Sequence, residues 1–260
     1  MWSMKISLDK FSIYCDFLRM KKTLAILGGA GAIGRALTRD ALANDWNVIV
    51  LDLESTIEKY SVPKGVEYKY IDLFDENLLQ ETFRSIGPLQ GFVNTAGFTT
   101  SMQKIVELDF EDITEVITGN LIGAFKASKL AVPKLTEGKG ALVNVASGLA
   151  SFSRPKFGPY AAAKAGLISM TKTLALEAAP LVRVNAVSPS AVDTDFIHGG
   201  AGRAQIKPLD LDFESIASNT PLKRVATPED IVGPILFLLE GASSYMTGQV
   251  LWVNGGSYMP

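Results

Sequence analysis

A single cysteine, Cys15, excludes any disulfide within the chain and points to a reducing compartment such as the cytoplasm. A single histidine, His198, leaves a Ser-His-Asp triad or a metal site with one imidazole at most. It stands in the glycine-rich HGGAG and reads as an exposed loop residue, so no metal is expected. Acid–base chemistry falls to another side chain. The 25 Lys and Arg against 27 Asp and Glu are scattered, and the basic stripe of a nucleic-acid binder is missing. The longest apolar run of note, ILFLL at 235–239, is far below the roughly 18 residues that span a membrane. Neither a nucleic acid nor a membrane is an expected partner. Asp9, Lys10 and Asp16 break up any apolar core of an export signal in the first 20 residues. We read 1–20 as a leader outside the fold and 21–260 as one domain.

Apolar residues make up 47% of the chain, enough to bury a large core. Seven short, β-branched stretches read as strands buried on both faces: 23–28, 47–52, 66–72, 91–96, 141–147, 182–188 and 249–254. Between them, helical spacing covers 32–44, 75–86, 109–135, 159–179 and 228–240. Such alternation predicts an α/β fold: a doubly wound, seven-stranded parallel sheet with helices on both faces, the Rossmann arrangement. The one long irregular segment, 191–226, is expected to be a substrate loop.

The first strand runs into GGAGAIG, where Gly29, Gly31 and Gly34 give GxGxxG between a strand and a helix. Glycines there let the backbone approach a pyrophosphate at the positive end of the helix. Asp52 closes the second strand, 18 residues after Gly34. Its carboxylate suits an adenosine ribose and repels a 2′-phosphate, and Glu54 adds charge of the same sign. The only nearby base, Arg35, reads as a helix-surface residue. The balance favours NAD over NADP. Asp72, ending the third strand, is placed either to reach an adenine amino group or merely to open a loop.

Two Tyr-x-x-x-Lys matches occur, YSVPK at 60–64 and YAAAK at 160–164. Pro63 and the following Gly65 make the first a loop, in which the spacing has no same-face meaning. The second opens a predicted helix, where residues four apart share a face. Ser147 ends a strand thirteen residues before Tyr160, on the edge where the glycine loop lies.

With these motifs the chain resembles the short-chain dehydrogenase/reductase family. The resemblance runs from residue 23 to about 256 and rests on LGGAGAIG (27–34), NTAG (94–97), Asn120 in GNLIGAF, Ser147, YAAAK, NAVSPSAVDT (185–194), PLKRVATPEDI (221–231) and TGQVLWVNGG. It implies that Tyr160 exchanges a proton with the substrate oxygen and that Lys164 lowers the tyrosine pKa and binds the nicotinamide ribose. Ser147 would hydrogen-bond the substrate oxygen, and Asn120 would hold a water leading from Lys164 to solvent. Working near neutrality asks for a fall of about 3 pH units from tyrosine's usual value near 10, or about 4 kcal/mol. A cation about 4 Å away supplies that much at an effective dielectric of about 20. The resemblance also implies cofactor contacts from Gly28, Gly31, Ala32, Ile33, Gly34, Asp52, Leu53, Asp72, Leu73, Asn94, Ala96, Gly97, Pro189, Ser190, Val192 and Thr194, together with Tyr160 and Lys164. Four positions depart from the family pattern. Leu27 replaces Thr, Ala32 replaces Gly, and Ser190 replaces the Gly after Pro189. Thr95 replaces the second Asn of NNAG, which leaves that residue's strand-bracing role open.

The expected activity is NAD(H)-dependent interconversion of a secondary alcohol and a ketone. Phe152, Phe157, Phe196, Ile197, Ile206 and Leu209 suit an apolar substrate pocket and are equally readable as core or loop packing. The alternatives are a 3-oxoacyl-thioester reductase and a regulatory protein that binds NAD without turning it over. Against the thioester reductase stand Asp52 and Leu176, where comparable carrier-protein reductases have a basic residue. By the same resemblance, the helices at 109–135 and 159–179 would pair copies into a homotetramer.

Overall fold

Alternation along the first strand, β1 (Thr23–Leu27), sends Leu24 and Ile26 to one face of the sheet and Ala25 and Leu27 to the other. None of the four is more than 2% exposed, so helices must cover both faces. The computed structural model describes residues 21–60, 63–100, 102–198, 200, 209 and 211–260. The leader at 1–20 and Ile206 lie outside them. After β1 come α1 (Ala32–Ala43), β2 (Asn47–Asp52), a short α2 (Glu54–Lys59), β3 (Glu67–Tyr70), α3 (Glu76–Arg84) and β4 (Gly91–Asn94). The chain continues through α4 (Phe110–Ile117), α5 (Gly123–Gly138), β5 (Ala141–Val145), α6 (Gly158–Ala178) and β6 (Arg183–Pro189). It ends with α7 (Phe213–Asn219), α8 (Pro228–Leu239) and β7 (Val250–Val253).

All seven strands pair in parallel in the order β3-β2-β1-β4-β5-β6-β7. Leu37 of α1 and Ile231 and Ile235 of α8 pack on one face, with Leu24, Ile26, Val48 and Val50. Leu79 and Phe83 of α3, Leu135 of α5 and Ala175 of α6 pack on the other, with Leu27, Leu51 and Phe92. This is the doubly wound Rossmann sheet expected. The strand order reverses between β1 and β4, and that is where a crevice opens in such sheets.

Three elements differ from the sequence reading. Among the described residues strand β3 has one neighbour, β2, and its Tyr68 is 52% exposed rather than buried on both sides. The helix read over 109–135 is divided by a π-helical turn, Thr118–Ile122, that carries Asn120. The irregular segment at 191–226 contains α7, capped by the Asp212 side chain on Ser215 N–H. Its ends meet in a parallel bridge between Val192 and Ala226.

Candidate active site

A cavity of about 630 Å³ lies along the C-terminal ends of the strands, on both sides of the switch between β1 and β4. At one end the chain leaves β1 through Gly28, whose φ of +76° suits glycine. A Cβ at Gly34 would stand 2.5 Å from the Gly28 carbonyl oxygen and from the Gly29 Cα, so the loop and α1 close on each other only without side chains. That leaves bare backbone and a helix N-terminus facing the cavity, which fits a pyrophosphate. Asp52 closes the same end. Its Oδ2 accepts the Ala30 N–H at 2.9 Å and its Oδ1 the Leu53 N–H at 2.8 Å. Burial raises its pKa, and these two bonds oppose the rise. Asp52 therefore ties down the glycine loop.

Thr95 takes the bracing role left open by its departure from the family pattern. Its hydroxyl is 2.9 Å from the carbonyl oxygens of both Leu27 and Gly28. Asp72 Oδ1 accepts the Phe74 N–H at 2.9 Å. Arg35 is not the simple surface residue expected. It donates to the Ala30 carbonyl at 2.6 Å, pairs with Asp195 at 3.3 Å and lies 4.0 Å over the Tyr60 ring. The tyrosine of YSVPK thus stacks on an arginine.

At the other end of the cavity, β5 delivers Ser147 and the first turn of α6 delivers Tyr160. The Ser147 side chain lies near enough to the Tyr160 hydroxyl to favour the tyrosinate. Ser147 Oγ also accepts the Leu149 N–H at 3.2 Å, so its own proton is available to a second oxygen. Lys164, one turn on, is 3% exposed; its Nζ donates to the Val145 carbonyl at 3.0 Å and lies 5.6 Å from the centre of the Tyr160 ring. Contrary to the expected fall, Tyr160 is pushed up to about 12, and Lys164 is pushed down to about 8. Burial does both, because each charged form loses its hydration.

Every residue expected to contact the cofactor lines this cavity except Asn94. Ser147, Tyr160 and Lys164 line it too, whereas Asn94 and Asn120 stand behind the wall. Asn94 Oδ1 accepts the Ala96 N–H at 3.1 Å. Asn120 Nδ2 donates to the Phe98 carbonyl at 2.8 Å and to Val116 at 2.9 Å, and its Oδ1 accepts the Phe98 N–H at 3.2 Å. A Cβ on Gly97 would lie 3.0 Å from Asn120 Oδ1 and 3.1 Å from Lys164 Nζ, so this glycine lets asparagine and lysine approach.

Of the six suggested pocket residues, Phe152, Phe157, Phe196, Ile197 and Leu209 line the cavity. The sequence reading missed Arg154, Asn219 and Tyr258, which also line it. Tyr258 reaches the site because the tail after β7 folds back: Asn254 Nδ2 holds the Tyr258 carbonyl at 2.7 Å, and the ring lies 4.7 Å from Phe152. A Cβ on Gly148 would meet the Tyr258 hydroxyl at 2.7 Å, so this glycine makes room for the tail. Among the described residues no cluster of His, Cys, Asp and Glu could hold a metal, and no helix is long and apolar enough to cross a membrane.

Residues 28–258 match the profile of the family described as Enoyl-(Acyl carrier protein) reductase. The chain is 32% identical over 245 residues to carbonyl reductase family member 4 of Xenopus tropicalis, covering 91% of this chain and 98% of that protein. It is 34% identical over 247 residues to the 3-oxoacyl-[acyl-carrier-protein] reductase FabG of Thermotoga maritima, covering 90% and 97%. Among solved structures, the short-chain dehydrogenase/reductase SDR:glucose/ribitol dehydrogenase from Brucella melitensis superposes with a TM-score of 0.81 at 29% identity, over 93% of this chain and 100% of that one. ElxO with NADP bound gives 0.79 at 27% identity, over 92% and 99%.

Proposed function

The chain belongs to the short-chain dehydrogenase/reductase family and is an NAD(P)-dependent oxidoreductase, and from that premise we propose that it interconverts a secondary alcohol and a ketone with NAD(H), Tyr160 acting as the acid and base. The observation that carries this reading is the meeting of Ser147, Tyr160 and a buried Lys164 on the wall of a cavity that the glycine loop also lines. Bound NAD would accept the hydride from the alcohol carbon. Tyr160 gives its proton to the carbonyl oxygen in reduction and takes it back in oxidation. Ser147 donates to the same oxygen and stabilises the charge that develops there. Lys164, fixed by Val145, steadies the tyrosinate with its charge and would hold the nicotinamide ribose when the cofactor is bound. Asn120 holds the backbone of Phe98 at the rim of the site. Asp52, with its oxygens on the loop and near the ribose position, supports NAD over NADP; a 2′-phosphate would meet a carboxylate there.

Tyr160→Phe should remove turnover and leave NADH binding in place. Full activity in that variant would sink the mechanism. A second reading, reduction of a 3-oxoacyl thioester, is favoured by the likeness to the Thermotoga reductase and opposed by Asp52 and by Leu176, which is 81% exposed and uncharged. Comparing NADH with NADPH on an acetoacetyl thioester separates the two. A protein that binds NADH and turns over none of a broad alcohol and carbonyl panel would instead be a regulatory binder. The reading includes a cytoplasmic location, from the single cysteine, and a homotetramer, for which the exposed Phe110 and Phe125 on α4 and α5 offer apolar surface. Light scattering in solution tests the assembly.

A further inference from the structure

The side chains that line the reacting end of the cavity are mostly apolar: Leu149, Phe152, Phe157, Phe196, Leu209 and Leu211. Arg154 interrupts them. Its guanidinium lies 6.0 Å from the ring of Phe157, which is buried in the same cluster as Tyr160. Arg154 itself is exposed, and among the described residues it forms no ion pair with an acidic side chain. The carboxylates that line the cavity do not supply a partner. Asp52 faces the glycine loop, Asp72 accepts from Phe74, and Asp195 is paired with Arg35. An arginine that meets an aromatic ring and no carboxylate keeps its fork of donors, whose geometry matches a planar anion.

Building on the alcohol–ketone reading, we infer that Arg154 is a specificity residue that binds a carboxylate on the substrate. The substrate class is then a hydroxy acid and its oxo acid, with an aliphatic chain against the phenylalanines and the reacting carbon at Tyr160 and Ser147. A carboxylate is favoured over a phosphate because one exposed guanidinium supplies a single bidentate contact, which matches two carboxylate oxygens and leaves a phosphate dianion half neutralised.

The test is NAD reduction with 3-hydroxyhexanoate and with its methyl ester, by the wild type, Arg154→Met and Arg154→Lys. In the wild type kcat/KM for the acid should exceed that for the ester at least tenfold. In Arg154→Met the ratio should fall toward one through a rise in KM for the acid, and Arg154→Lys should recover part of it. Thermal stabilisation of the NADH-loaded protein by 3-oxohexanoate should vanish in Arg154→Met. An acid-to-ester ratio near one in the wild type, or one unchanged by Arg154→Met, overturns the inference while leaving alcohol oxidation standing. Arg154-dependent turnover of a phosphorylated alcohol, without any preference for the acid, overturns it as well. Turnover of no alcohol or ketone by a protein that binds NADH removes the reading beneath it.

Discussion

Asn120 holds both polar groups of the Phe98 backbone, giving a 2.8 Å hydrogen bond to its carbonyl and accepting one of 3.2 Å from its N–H. The same amide reaches Val116 from a π-helical turn. Asn120→Ala would leave the partly buried Phe98 groups without this partner, at a cost of about 1–2 kcal/mol. We expect lower stability in urea and at least a tenfold fall in kcat. Tyr160→Phe should lose turnover without that stability change. Unaltered stability in Asn120→Ala would contradict the clamp.

Lys164 gives a prediction with a defined sign in pH. Its depressed value, about 8 against 10.5, means that the folded protein holds fewer protons than the unfolded chain between those values. The cost of burying the ammonium, about 3 kcal/mol, is therefore full below pH 8 and disappears as pH rises toward 10.5. Lys164→Met should be inactive yet about 2 kcal/mol more stable than the wild type at pH 7, after about 1 kcal/mol for the lost bond to Val145. That advantage should shrink toward zero near pH 10. A variant less stable than the wild type at pH 7 would contradict the account.

Gly34→Ala places a methyl group 2.5 Å from the Gly28 carbonyl. The glycine loop has to move, and with it the backbone facing the cofactor. NADH affinity, followed by the fluorescence of the bound dinucleotide, should fall at least tenfold. Wild-type affinity would show that the loop is not the cradle.

Asp52→Ala removes the acceptor of two backbone N–H groups and a carboxylate from the ribose end. We expect a stability loss of about 1–2 kcal/mol, weaker NADH binding and a higher ratio of NADPH to NADH use. Calorimetric titration of both cofactors reads the ratio. A variant that keeps the wild-type preference would move cofactor selection away from Asp52.

The parallel sheet was legible because its buried strands are short β-branched runs divided by helical spacing. β3 and α7 were less so, for local reasons. An edge strand with one neighbour leaves Tyr68 half in water, and α7 has seven residues, too few for a periodic signal. At the site, Ser147, Tyr160 and Lys164 could be placed by strand ends and a helix face alone. The direction of the Tyr160 and Lys164 pKa values could not, because it depends on how much water each loses. Sequence spacing carries no record of that. Arg154 and Tyr258 were missed because a loop and a tail reach the cavity by folding back over it.

The bridge between Val192 and Ala226 sets the two ends of the substrate segment side by side, with Asp193 N–H on the Ala226 carbonyl at 2.9 Å and Ala226 N–H on Ala191 at 3.3 Å. Through that bridge the segment leaves and rejoins the fold as a closed stem. Lengthening what lies beyond the stem changes a closure entropy that grows with the logarithm of length, about 0.6 kcal/mol for each doubling. The strands need not register such a change, whereas Asp195, paired with Arg35, and Phe196, 5.3 Å from the Tyr160 ring, tie the segment to the cavity. The part of the cavity wall that this segment supplies can therefore change in length while the sheet beneath it stays as it is.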